Sequence, residues 1–131
     1  MILLDTHVWV WWIGDPERLS KKALTAIENA ISLHAAYVSS ISAWEVAVLA
    51  KKGRLQLTVE VRDWIGLAES LPSFRFVPVD NRIAVNSVFL KGEVHDDPAD
   101  RIIIATALAL GASLVTKDKR IRGCRWVDTI W

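Results

Sequence analysis

Four acidic residues in this chain stand where an apolar run begins or ends. Asp5 follows Ile2-Leu3-Leu4, Glu45 closes Ser42-Ala43-Trp44-Glu45, Asp100 sits in Asp97-Pro98-Ala99-Asp100-Arg101 ahead of Ile102-Ile103-Ile104, and Asp118 follows Leu114-Val115-Thr116-Lys117. Carboxylates gathered at the rim of one core repel and raise each other's pKa unless a cation sits among them. The economical reading is therefore a divalent-cation site built from carboxylates. Oxygen donors suit a hard ion such as Mg²⁺, and no cluster of His or Cys competes for zinc. Such an ion lowers the pKa of a bound water and offsets charge on a departing oxygen.

Taken singly, each acid also has an ordinary structural reading. Ser42-x-x-Glu45 is a capping box. Asp97 before Pro98 is a strong N-cap with proline at the first helical position, which favours a structural role for Asp97. Asp100 can serve the helix dipole, and Asp118 can be the polar corner of a turn. What lifts the set is joint placement, because unrelated caps scatter over both ends of a sheet.

The elements that must position these acids alternate between strand and helix. Ile2–Leu4 reads as a buried strand running into a helix from Thr6 to Ile13, stopped by Gly14-Asp15-Pro16. Ser20 caps a second helix, Ala36–Ser39 is the next strand, and Ser42 opens a third helix that ends at Gly53. Thr58 caps a helix to about Leu71, Phe74–Val79 is strand-like, and Asn81–Leu90 is helical with Gly92 as its stop. Asp97-Pro98 opens a helix from Ala99 to Leu110, Ser113–Thr116 is a strand, and Arg125–Val127 is expected to be the last. This alternation predicts a parallel, doubly wound sheet, whose ligand crevice lies beyond the strands' carboxyl ends where strand order reverses.

Bulk composition narrows the partners. The 131 residues, 52% of them hydrophobic, suffice for one domain with a sizeable core. Sixteen basic and fifteen acidic residues leave a net charge of +1, so nucleic-acid affinity has to come from local patches. One cysteine, Cys124, cannot form an internal disulfide, and neither an export signal nor a membrane-spanning run is recognisable. A cytoplasmic location without membrane contact is expected.

The motifs Leu3-Leu4-Asp5-Thr6-His7, Ser39-x-x-Ser42-x-Trp44-Glu45, Asp97-Pro98-x-Asp100-Arg101-x-Ile103-x-Ala105-Thr106-Ala107 and Val115-Thr116-x-Asp118 resemble, in this order, the PIN-domain ribonucleases. Within them the likeness is to the VapC-type toxins of prokaryotic toxin–antitoxin pairs. The resemblance implies one PIN domain over residues 1–131, a three-layer α/β/α sandwich with a central parallel sheet. It also implies Mg²⁺- or Mn²⁺-dependent endoribonuclease activity that leaves a 5′-phosphate and a 3′-hydroxyl. By motif, Asp5, Glu45, Asp100 and Asp118 are the catalytic acids, with Asp5, Asp100 and Asp118 as metal ligands, Asp118 either directly or through water. Asp97 and Thr116 are supporting candidates behind them. A homodimer and a cognate antitoxin are the implied partners.

Substrate grip is expected from basic residues near the last acid, Lys117, Lys119 and Arg120, followed by Arg122 and Arg125, and from Arg101 as either a phosphate contact or an ion-pair partner. Lys51, Lys52 and Arg54 form a further basic group after the Glu45 helix. A single-stranded RNA loop is the expected target. His7, His34 and Cys124 are assigned no role. The first helix, with Val8 to Ile13 apolar throughout and three tryptophans, is expected to turn part of its surface, Trp9 and Trp12 included, to another chain. Three alternatives remain open: a phosphoaspartate receiver module, a PIN-like nuclease acting on branched DNA, and a catalytically silent binding protein.

Overall fold

The computed structural model of the protein describes residues 1–131. Its strands are β1 (Ile2–Leu4), β2 (Ala36–Ser39), β3 (Arg75–Val77), β4 (Ser113–Val115) and β5 (Thr129–Ile130). All pair in parallel, in the order β3-β2-β1-β4-β5. Seven helices flank them: α1 (Thr6–Gly14), α2 (Lys21–Ser32), α3 (Ser40–Lys51), α4 (Val61–Ser70), α5 (Asn81–Val88), α6 (Pro98–Leu110) and α7 (Lys119–Arg122). The chain lays down β1 first, builds outward along one edge through β2 and β3, then crosses to the other edge for β4 and β5. Strand order therefore reverses between β1 and β4.

Short strands covered on both faces read as unbroken apolar runs, and alternation decides which face each residue serves. Ile2 and Leu4 enter a core with Val8 and Trp9 of α1, Ile27 of α2, Val46 of α3 and Trp64 of α4. Leu3 and Leu114 point to the opposite core, with Ile103, Ile104 and Ala107 of α6 and Ile121 of α7. The result is a three-layer α/β/α sandwich around a parallel sheet. No helix is long and apolar enough to cross a membrane.

Several boundaries differ from the sequence expectation. Helix α3 starts at Ser40, not Ser42, because Ser39 at the end of β2 is already extended and its Oγ accepts the Ile41 N–H at 3.2 Å. Ser42 is thus inside the helix and fully buried, and the Ser42-Glu45 capping box does not form. Helix α4 is capped by Glu60, whose carboxylate accepts the Arg62 N–H at 2.8 Å, rather than by Thr58. The last strand is Thr129–Ile130 in place of Arg125–Val127. Val127 instead plugs the second core, while Trp126 lies against Gly92. Gly92 has φ +75°, and a Cβ there would come within 2.6 Å of the Trp126 indole nitrogen, so both backbone and space require glycine.

In the first helix the expectation fails at Trp9. Trp9 is wholly buried, its ring 5.0 Å from that of Trp64 and 5.5 Å from Phe76, both edge-on. Trp12 is half-buried with its ring 4.9 Å from Phe74. The rest of the apolar face, Val10 to Ile13, is half-buried, packed beside the core that α2, α4 and the sheet share and still partly open. Of the three tryptophans only Trp11 reaches a cleft at the carboxyl end of the sheet.

Candidate active site

The cleft opens where β1 and β4 diverge. Asp5, one residue past β1, continues the pairing by donating its N–H to Val115 O at 3.0 Å, then turns to cap α1. Its Oδ1 accepts the Thr6 N–H at 2.8 Å and its Oδ2 accepts the Thr116 hydroxyl at 2.7 Å. The same Thr116 oxygen accepts the Asp118 N–H at 3.0 Å, so one hydroxyl just past β4 ties two of the acids together. Asp5 is almost wholly buried and Thr116 completely so.

Glu45 arrives from the second turn of α3. The Thr6 hydroxyl donates to Glu45 Oε1 at 2.6 Å and lies 2.8 Å from Ser42 Oγ, which explains why Ser42 is buried at that position. From α6 comes Asp100, buried in the first turn, with Asp97 as the N-cap whose Oδ1 accepts the Asp100 N–H at 3.0 Å. Asp118 caps α7 through the Arg120 N–H and binds the Arg120 guanidinium at 2.9 Å. Arg120 also comes within 3.7 Å of Asp100.

Asp5, Glu45, Asp97, Asp100 and Asp118 all line a cleft of about 420 Å³. Burial pushes Asp5 above the usual carboxylate range, and the Asp100 charge adds to this. Asp100 is raised by burial and further by the charges of Asp97 and Asp118, with a His95 hydrogen bond opposing. Glu45 is raised to about 7, first by burial and then by Asp5, Asp100 and Asp97. Asp118 alone is lowered, because Arg120 hydrogen-bonds it. Three carboxyls strained upward by a shared cleft are a donor set that a divalent cation would relieve on all counts, and hard oxygen ligands fit Mg²⁺ or Mn²⁺.

The PIN domain family matches residues 2–125, nearly the whole chain. The chain belongs to the PIN-domain family. It is 44% identical to ribonuclease VapC22 of Mycobacterium tuberculosis over 133 residues, covering 99% of this chain and 98% of that relative. FitAcB from Neisseria gonorrhoeae superposes with a TM-score of 0.66 at 26% identity, over 98% of this chain and 96% of that one. VapBC2 from Rickettsia felis, bound to a DNA fragment from its promoter, gives a TM-score of 0.71 at 18% identity, over 98% and 97% of the two chains, a likeness of fold alone.

In this PIN fold the acids picked out by their place in the sequence share one cleft. The basic candidates divide. Lys117 and Arg120 line the cleft. Lys119 is outside its lining, and Arg101 faces away, donating to the backbone carbonyls of Ser87, Val88, Val94 and His95. Lys117 Nζ also stands over the rings of Trp11 and Trp131, at 5.8 and 6.0 Å. His7, given no role from sequence, is at the cleft wall.

One residue was missed. His95 Nε2 lies 2.6 Å from Asp100 Oδ2, and atoms of His95, Asp100 and Asp118 able to bind a metal lie within 4.8 Å of one another. The available signal was its place two residues ahead of Asp97-Pro98, where the chain folds back over the helix start that delivers Asp100.

Proposed function

We propose that this chain is a metal-dependent endoribonuclease that acts as a toxin and is neutralised by a cognate antitoxin. What carries the proposal is the convergence of Asp5, Glu45, Asp100 and Asp118 in one cleft at the strand switch point of a PIN domain. The relative named ribonuclease VapC22 and a neighbour, 25% identical, solved as a toxin–antitoxin complex from Klebsiella pneumoniae support it.

In this reading Asp5, Asp100 and Asp118 hold Mg²⁺ or Mn²⁺, with Glu45 completing the catalytic set. When bound, the cation supplies positive charge for an attacking water and for the oxygen that leaves the scissile phosphate. The chain's own residues prepare that event. Thr116 and the Thr6 N–H hold both oxygens of Asp5 in place, and the Thr6 hydroxyl holds Glu45. Glu45, held in the cleft by Thr6 and not one of the three proposed ligands, is placed to accept a proton from water. Lys117 and Arg120 at the rim are placed to receive the phosphates on either side. Hydrolysis then leaves a 5′-phosphate and a 3′-hydroxyl.

An apolar groove formed by Val10, Ile13, Leu55, Leu57 and Trp64 shares Trp11 with the acidic cleft and suits an antitoxin tail. Homodimerisation and a place in the cytoplasm of a prokaryote belong to the same proposal. The test is incubation of the purified chain with total RNA, in Mg²⁺ and in chelator, with the cut ends mapped. Cleavage only in Mg²⁺, lost in Asp100→Asn, is the expected result. Cleavage in excess chelator, or none by soluble wild type in either cation, refutes the proposal.

A further inference from the structure

We infer that His95 is a positioning residue that sets the orientation of the Asp100 carboxylate for metal binding, and that Arg101 holds His95 in place to do so. The inference rests on the metal-nuclease reading above. His95 lies in the irregular segment between α5 and α6, with its side chain 19% exposed and Asp100's 11% exposed. Its Nδ1 is buried and has no hydrogen-bond partner. That decides the tautomer. A neutral ring with the proton on Nδ1 would bury an unmet N–H and set the Nε2 lone pair against a carboxylate oxygen at 2.6 Å. With the proton on Nε2, the short contact becomes a donated hydrogen bond to Asp100 Oδ2, and only a lone pair on Nδ1 goes unmet. The bond engages one carboxylate oxygen and leaves Oδ1 for the metal.

A donor in an irregular segment orients nothing unless its backbone is held. Arg101, next to Asp100 on α6, provides that support. Its Nε donates to Ser87 O at 2.9 Å, one terminal nitrogen to Val94 O at 3.0 Å and His95 O at 3.4 Å, and the other to Val88 O at 3.1 Å. This planar fork joins the end of α5, the segment before α6 and α6 itself, a geometry that lysine cannot reproduce. Adjacent residues thus fix the two ends of one hydrogen bond: Arg101 fixes the donor's backbone and Asp100 is the acceptor. Partners behind a metal ligand govern its affinity, and their loss costs roughly 10- to 100-fold.

The test is calorimetric titration of Mg²⁺ and of Mn²⁺ into wild type, His95→Phe and His95→Gln, beside thermal unfolding in chelator. Phenylalanine keeps the ring and removes both the donor and the unmet Nδ1, whereas glutamine keeps an N–H donor at a similar reach. His95→Phe should bind both cations roughly 10- to 100-fold more weakly without losing thermal stability, and His95→Gln should return near to the wild-type affinity. Arg101→Lys should weaken both cations in the same direction. Unchanged affinity in His95→Phe overturns the inference. So does a loss confined to Mn²⁺ with Mg²⁺ retained, which would make His95 a direct nitrogen ligand, since imidazole favours the softer ion. Wild type that binds neither cation instead refutes the metal reading beneath it, which keeps the two failures apart.

Discussion

Replacing Glu45 by Gln isolates the electrostatic cost of the acidic cleft. The Glu45 carboxyl moves from its ordinary 4.5 to about 7, chiefly through burial and then through the charges of Asp5, Asp100 and Asp97. At about 1.4 kcal/mol per pH unit that displacement corresponds to at most ~3.5 kcal/mol. Glu45 is only half-buried, so solvent screening reduces the effect to about 1–2 kcal/mol. Because the folded-state pKa is raised, the protonated group contributes stability fully below pH 4.5, and this contribution is lost as pH climbs through about 7. In chelator, the wild type should therefore lose about 1–2 kcal/mol more between pH 5 and pH 8 than Glu45→Gln, which still accepts the Thr6 hydroxyl and keeps the raised Asp5 and Asp100. At pH 8 the variant should melt roughly 3–8 °C above wild type, and at pH 5 the gap should nearly close. Millimolar Mg²⁺ should then stabilise wild type preferentially and reduce the pH 8 difference. Thermal melts at the two pH values, with and without Mg²⁺, measure all of this. A variant less stable than wild type at pH 8 in chelator, or a gap independent of pH, would refute the argument that the cleft holds its acids under mutual repulsion.

Three other predictions are simpler. Asp100→Asn should abolish cleavage yet unfold in chelator at the same temperature as wild type or a higher one, since it removes charge but little volume; comparison of RNA cleavage with thermal melting checks it. Asp97→Ala should lose about 0.5–2 kcal/mol by denaturant titration, whereas Asp97→Ser should keep both the cap and most activity; loss of metal binding in the Ser variant would make Asp97 a ligand. Trp9→Ala should destabilise by about 3–5 kcal/mol in the same assay, and Trp11→Ala, at the cleft rim, by much less.

The parts of the fold that could be read from sequence were those with short-range causes. Ser20 and Asp97 cap their helices through their own neighbours, and Gly111 ends α6 with φ +66°, all visible as local signals. Asp5 and Asp100 could be read because a strand end and a helix first turn fix where a side chain points. Glu45 was grouped with the other acids by its place near a helix start, and the capping box that was its ordinary alternative does not form: its partner is the Thr6 hydroxyl, 39 residues away, and not a backbone N–H beside Ser42. The two-residue β5 is too short to carry a period, while the apolar pair Trp126-Val127 that suggested a strand is used for packing, Trp126 against Gly92 and Val127 in the second core. The tryptophan helix was legible only in part, because all-round apolarity does not say which side chain turns inward: Trp9 is core, whereas Trp11 and Trp12 stay half-buried. His95 lies in a segment without periodicity, where only tertiary structure reveals a hydrogen bond.

The Thr116 hydrogen bond to Asp5 joins residues 111 positions apart, and this has a consequence for the order in which the protein is made. Asp5 and Glu45 leave the ribosome early, whereas Asp100, Asp118 and the strand that fills the open edge of β1 come in the last quarter of the chain. At ordinary translation rates the interval from Glu45 to Asp118 is roughly 4–15 s. During that time the nascent chain holds half of its acids and an unpaired edge on its central strand, a state that lacks the cleft and is open to wrong pairing. Chains terminated before β4 should therefore lack the cleft and be prone to aggregate, and the cleft should close only once Thr116 and Asp118 have been made.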